Sequence, residues 1–169
     1  MKLKKIKTKK DISGSDNQEG YLIDADEKVA RSIIASLGKT DKIVAVLGRD
    51  GNFNRRVLET LKINYLVSPE LGKRKDTLKQ RDSGLNHVLG KIAAGNKIDI
   101  VIDYDEITGM KSRKEKALRL ARIIQNIKIC RRAKCNIKIW SLDNEIDEKV
   151  LRAFGFSLGM SSQQVSGSM

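Results

Sequence analysis

Apolar residues follow two periods along this chain, and their alternation outlines it. Short apolar runs suited to strands cover 3–7, 21–23, 42–47, 64–67, 97–104 and 136–140. The run KIVAVL at 42–47 is unbroken, as in strands buried on both faces of a parallel sheet. Between these runs apolar residues recur three and four apart, which is the helical signal. A helix begun by Asp24 or Asp26 carries Val29, Ala30, Ile33 and Leu37 and stops at Gly38. One begun by Asn52 or Asn54 carries Val57, Leu58 and Leu61. A third, capped by Asp82 or Ser83, buries Leu85, Val88, Leu89, Ile92 and Ala93 and ends at Gly95. The longest, over 111–134, buries Ala117, Leu120, Ala121, Ile124 and Ile127 and turns Arg119, Arg122 and Asn126 outward. A helix over 147–156 ended by Gly159, and a final turn from Ser161, complete the pattern.

Strand and helix alternate throughout, which predicts an α/β fold around a parallel sheet. The 169 residues suit one domain, 1–169, with one core. A full eight-fold barrel usually needs roughly 200 residues or more, so any barrel here is trimmed or tightly connected. The first 20 residues join a basic start, MKLKKIKTKK, to a polar, turn-rich link, and a flexible segment over 1–20 is expected.

Charge narrows the function. The chain has 34 Lys and Arg against 21 Asp and Glu, a net +13. So one-sided an excess favours a polyanionic partner, which gains by releasing counterions from phosphates. Few aromatics argue against base stacking and for phosphate and shape readout of a structured nucleic acid. No run approaches a membrane span and the basic start lacks an apolar signal core, so no membrane and a cytoplasmic location are expected. Cys130 and Cys135 fall about 140° apart on a helix, suiting neither a disulfide nor a shared metal, and read as reduced packing residues.

Catalytic candidates are sparse. His87 is the only histidine, so no His-rich metal site exists, and Ser68, Ser83 and Ser141 share it as their one possible base. Asp99, Asp103, Asp105 and Glu106 cluster at a strand end, where a loop-capping role competes with metal binding. Basic residues gather at 2–10, at 73–81, and at 111–122 with Arg131, Arg132 and Lys138 beyond. The stretch 73–95, KRKDTLKQRDSGLNHVLGKIAAG, sets a cationic loop on a helix start, where free N–H groups suit phosphate.

The segment RDSGLNHVLGKIA at 81–93, preceded by YLVSPELGKRKDTLKQ at 65–80, resembles the signature of ribonuclease P protein component 3. The long helix and strand at 116–141 and the closing segment 147–165, with Leu-Gly-Met at 158–160, are similar to the same family. The resemblance implies a TIM-barrel-like fold related to polymerase-and-histidinol-phosphatase (PHP) metalloenzymes. The short connection at 104–111 and the early end after Leu-Gly-Met make it a shortened or incomplete barrel. It also implies a subunit of the ribonucleoprotein that removes 5′ leaders from precursor tRNA. Catalysis is then expected in the RNA, with Mg2+ held there and no cofactor, metal ligand or catalytic residue in this chain. The implied partners are the catalytic RNA, ribonuclease P protein component 2, other protein subunits and, indirectly, precursor tRNA. Arg81 and His87 are carried over from the motif as RNA-facing, with Lys73, Arg74, Lys79 and Lys111 added from the basic groups. Asp82, Ser83 and Gly84 would shape the loop. The competing reading is a stand-alone metal-dependent phosphoesterase of the PHP class using Asp103, Asp105 and Glu106.

Overall fold

The computed structural model of the chain describes residues 2–12, 18–72, 74, 76 and 81–167. Six strands are joined by helices: β1 (Leu3–Ile6), β2 (Gly20–Ile23), α1 (Glu27–Leu37), β3 (Ile43–Leu47), α2 (Gly51–Thr60), β4 (Tyr65–Val67), α3 (His87–Gly95), β5 (Asp99–Asp103), α4 (Tyr104–Thr108), α5 (Arg113–Ala133), β6 (Ile137–Trp140), α6 (Glu148–Ser157) and α7 (Ser162–Ser166). The strands are all parallel and lie in chain order, each beside its successor. This is the winding of a barrel wall. Among the described residues β1 and β6 are not paired with each other, so the wall is open. An exposed ion pair, Lys2 with Glu145 at 3.9 Å, reaches across from the start of β1 to the loop after β6.

The two sheet faces bury different things. Ile6, Ile23, Val46, Leu66, Ile100 and Ile139 point outward and pack under the helices in the main core. The inner face holds a smaller cluster of Leu22, Ala45, Val67, Val101 and Trp140. A polar pair lies near it: Asp99 meets Lys138 at 3.6 Å, and the Lys138 ammonium sits 5.8 Å from the Tyr65 ring centre. Both faces need apolar residues because a parallel sheet wound by helices hides both from water.

Helix starts and phases differ from the sequence expectation in instructive ways. Asp50, not Asn52 or Asn54, caps α2, its carboxylate accepting from the Phe53 N–H at 2.9 Å. Asn86, not Asp82 or Ser83, caps α3, accepting from the Leu89 N–H at 2.9 Å. Leu85 is buried but precedes that helix, and Val88 is 59% exposed. The α3 stop is Asn96 followed by Lys97 at φ +56°, while Gly95 is still helical. On α5, Arg119, Ile123, Asn126, Ile127, Cys130 and Ala133 are buried, and Ala117 is exposed. Arg119 and Asn126 face inward because their neighbour there is a polar loop rather than an apolar sheet.

The cysteines also depart from their expected separation. Lys134 takes the left-handed conformation at φ 57°, and the Cys135 N–H donates back to the Cys130 carbonyl at 2.9 Å. This six-to-one closure brings the two side chains together. Both thiols are free and buried, and the hydrogen bond with Cys135, with burial, pushes the Cys130 thiol well up.

Candidate functional site

The loop between β4 and α3 forms a corner held from behind by two arginines and two asparagines. β4 is followed by Ser68, which is buried in the left-handed region at φ 48°. Gly48 lets the next residues pass close, since a Cβ there would meet the Pro69 Cα at 2.6 Å. Asn54, on the buried stripe of α2, donates to the carbonyls of Pro69 at 2.8 Å and Gly84 at 3.1 Å. It thus joins the first and last turns of the loop. Asn126 from α5 donates to the Ser83 carbonyl at 3.0 Å.

Arg74 lies at the centre of the corner. Its side chain is fully buried and donates to the carbonyls of Arg49, Pro69 and Glu70, and it pairs with Asp82 at 2.8 Å. An RNA-facing role for Arg74 is therefore corrected: its side chain is buried and four of its five N–H donors are taken inside the fold. The second Asp82 task is to accept from the Gly84 N–H at 3.0 Å. Gly84 has φ 77°, and a Cβ there would sit 1.9 Å from the Pro69 oxygen. Asp82, Ser83 and Gly84 are thus placed to shape the turn. The Ser83 hydroxyl completes it toward the Leu85 carbonyl at 3.3 Å.

Arg119 anchors the corner to α5. Its guanidinium meets Glu70 at 3.1 Å and Glu106 at 2.8 Å. Burial pushes the Glu70 carboxyl up against the pull of Arg119, and its second oxygen has no partner among the described residues. Burial also works against the charge on Arg119, but the two carboxylates outweigh it and hold the guanidinium above its ordinary range. Single removal of a partner from such a buried pair is far costlier than replacing both.

Outside this scaffold Arg81, His87 and Lys111 face solvent. The Arg81 side chain is 44% exposed, with Asp76 at 4.0 Å, while its backbone carbonyl accepts from Gln125 at 3.0 Å. His87 is exposed on the first residue of α3, and Lys111 is exposed in the link before α5. Lys73 and Lys79 lie outside the described residues. A cleft of about 440 Å³ opens between the starts of α2 and α3, lined among others by Asn52, Arg55, Arg81, Leu85 and Val88. Its cationic rim and the two helix starts suit phosphate.

The acidic cluster has a different employment. Asp103 is 8% exposed and accepts from the N–H groups of Asp105 and Glu106, capping α4. Burial, aided by the neighbouring Glu106 and Asp105 charges, pushes it up to about 6. Asp105 ties down the loop after β6, accepting from Ser141 at 2.7 Å, the Asp143 N–H at 2.9 Å and Asn144 at 2.9 Å. These bonds outweigh burial and hold its carboxyl below the usual range. Glu106 is bound to Arg119. Among the described residues no three His, Cys, Asp or Glu converge as a metal site.

Asn54, Asn126, Glu70 and Arg119 were missed as site residues in the sequence. The available signal was polar residues recurring in phase with buried apolar ones, as Asn54 does with Val57, Leu58 and Leu61.

No family model matches the chain. Curated relatives do: ribonuclease P protein component 3 of Methanococcus maripaludis is 28% identical over 104 residues, 62% of this chain and 41% of the relative. The protein of the same name from another strain of that species is 34% identical over 71 residues, 42% of this chain and 27% of the relative. Over part of its length the chain is similar to ribonuclease P protein component 3. It spans about two fifths of the length of the first of these relatives. Among solved structures, a chain from the cryo-EM structure of archaeal ribonuclease P with mature tRNA superposes with a TM-score of 0.65 at 19% identity. The overlap covers 95% of this chain and 69% of that one, so the component 3 relationship in sequence is accompanied by a shared α/β fold.

Proposed function

We propose that this chain is a protein subunit of ribonuclease P that supports the catalytic RNA in removing 5′ leaders from precursor tRNA. The observation that carries this reading is the named similarity to component 3 in curated relatives, on a chain whose fold matches 95% of its length to archaeal ribonuclease P. The net charge of +13 and the exposed Arg81 and His87 on a pre-ordered corner support it. Chemistry belongs to the RNA and its Mg2+, while this chain contributes a rigid cationic surface. Ribonuclease P protein component 2 is its protein partner, and the complex works in the cytoplasm. No helix among the described residues is long and apolar enough to cross a membrane.

Reconstitution tests the proposal. Purified protein added to the cognate RNA and its partner subunit should raise precursor tRNA cleavage, and Arg81→Ala with His87→Ala should blunt the rise while leaving circular dichroism unchanged. No rise with the unaltered protein would overturn it.

A further inference from the structure

Exposed positive charge also gathers on two helices beside the motif corner. α3 and α5 run side by side in the same direction, since Gln125 and Asn126 bond to Arg81 and Ser83 while Ile129 and Ala133 lie against Gly90. Gly90 permits this approach: a Cβ there would stand 2.8 Å from that of Ala133 and 3.3 Å from Ile129 Cγ2. The result is a shallow furrow with Ala94 and Ile129, both half-buried, as its floor.

Helical spacing sets cations on both banks. His87 and Lys91 are one turn apart on the solvent side of α3, and Lys128 and Arg132 are one turn apart on the solvent side of α5. All four are exposed. Each pair spans about 6 Å along its helix. There is no acidic residue from Ser83 to Lys97 or from Lys116 to Cys135. The nearest acids at the head of the furrow, Asp76 and Asp82, are engaged by Arg122 and Arg74. A rigid furrow with cations on both banks, a small-residue floor and no aromatic ring suits a phosphate backbone held by charge and shape, and does not suit stacked single-strand bases.

We infer that the α3–α5 furrow, with His87 and Lys91 facing Lys128 and Arg132, is a docking surface for the phosphate backbone of double-helical RNA. It rests on the proposed ribonuclease P role for the identity of that RNA, but its charge and shape stand independently. Arg81 continues the strip toward the cleft, so the motif corner and the furrow form one surface.

The test is a salt titration of binding to a labelled RNA duplex of about 20 base pairs. The unaltered protein should bind with affinity falling steeply between about 50 and 200 mM salt. Lys91→Ala/Lys128→Ala/Arg132→Ala should flatten the slope of log K against log salt by about three units. A control, Lys28→Ala/Lys39→Ala/Lys149→Ala, removes three exposed cations elsewhere and should keep the steeper slope. Equal slopes for the two triple variants would overturn the furrow, as would absence of duplex binding by the unaltered protein. A furrow variant that keeps RNA binding but no longer co-purifies with the partner subunit would make the surface a protein interface and also overturn it. Precursor tRNA cleavage, measured in parallel, separates the two proposals: a protein that stimulates cleavage with an unchanged slope sinks only the furrow.

Discussion

The β4–α3 corner and the α3–α5 furrow adjoin each other, and both are rich in positive charge, yet they use it in opposite ways. In the corner, Arg74 and Arg119 are turned inward to carbonyls and carboxylates, holding the turns of the loop. In the furrow, the backbone is already satisfied by helices, so Lys91, Lys128 and Arg132 are left to solvent. Positive charge is drawn into the fold where buried carbonyls and carboxylates need donors, as at Arg74 in the loop and Arg119 on α5; elsewhere on the helices it stays available.

The comparison breaks first at Arg74. Arg74→Met should cost about 3–5 kcal/mol in urea unfolding, because three carbonyls and Asp82 lose one shared donor. A loss below about 1 kcal/mol would mean the corner is not organised from within. Gly84→Ala should come next, at about 2–3 kcal/mol, since alanine resists the positive φ and its methyl meets the Pro69 oxygen.

A smaller effect concerns the acidic end of β5. Asp103 binds a proton in the folded protein up to about pH 6, whereas the unfolded chain releases it near the ordinary value of 3.8. Its contribution to stability is therefore full below the lower value and is lost as pH rises through about 6. Asp103→Asn, which retains a capping oxygen, should remove that decline and gain about 1–2 kcal/mol at pH 7 relative to pH 4, allowing for partial screening. Parallel stability–pH curves for the two proteins would contradict this. The smallest expected change is at Arg81, where replacement by Ala should move stability by no more than about 0.5 kcal/mol. A larger shift would place Arg81 with Arg74 as a structural residue.

Element type was legible from periodicity alone. The run KIVAVL became β3, Ala30 and Ile33 became the buried face of α1, and strand–helix alternation became a six-stranded parallel wall. These patterns arise from local geometry, two residues per strand repeat and 3.6 per helical turn, so they can be read one segment at a time. Within 81–87, Arg81, Asn86 and His87 are exposed while Ser83, Gly84 and Leu85 are buried.

Direction within the site was not legible. KRKDTLKQRD has no periodicity, and nothing local distinguishes Arg74, which is buried by carbonyls from residues 49, 69 and 70, from Arg81, which is not. The phase of α5 was likewise not legible, because Arg119 and Asn126 are drawn inward by partners in a loop about forty to fifty positions earlier in the chain. The sequence by itself determined the α/β alternation, the surplus of positive charge and the position of the motif. Only the tertiary structure decided which cations remained free, because burial of a charge depends on acceptors that distant segments bring to it.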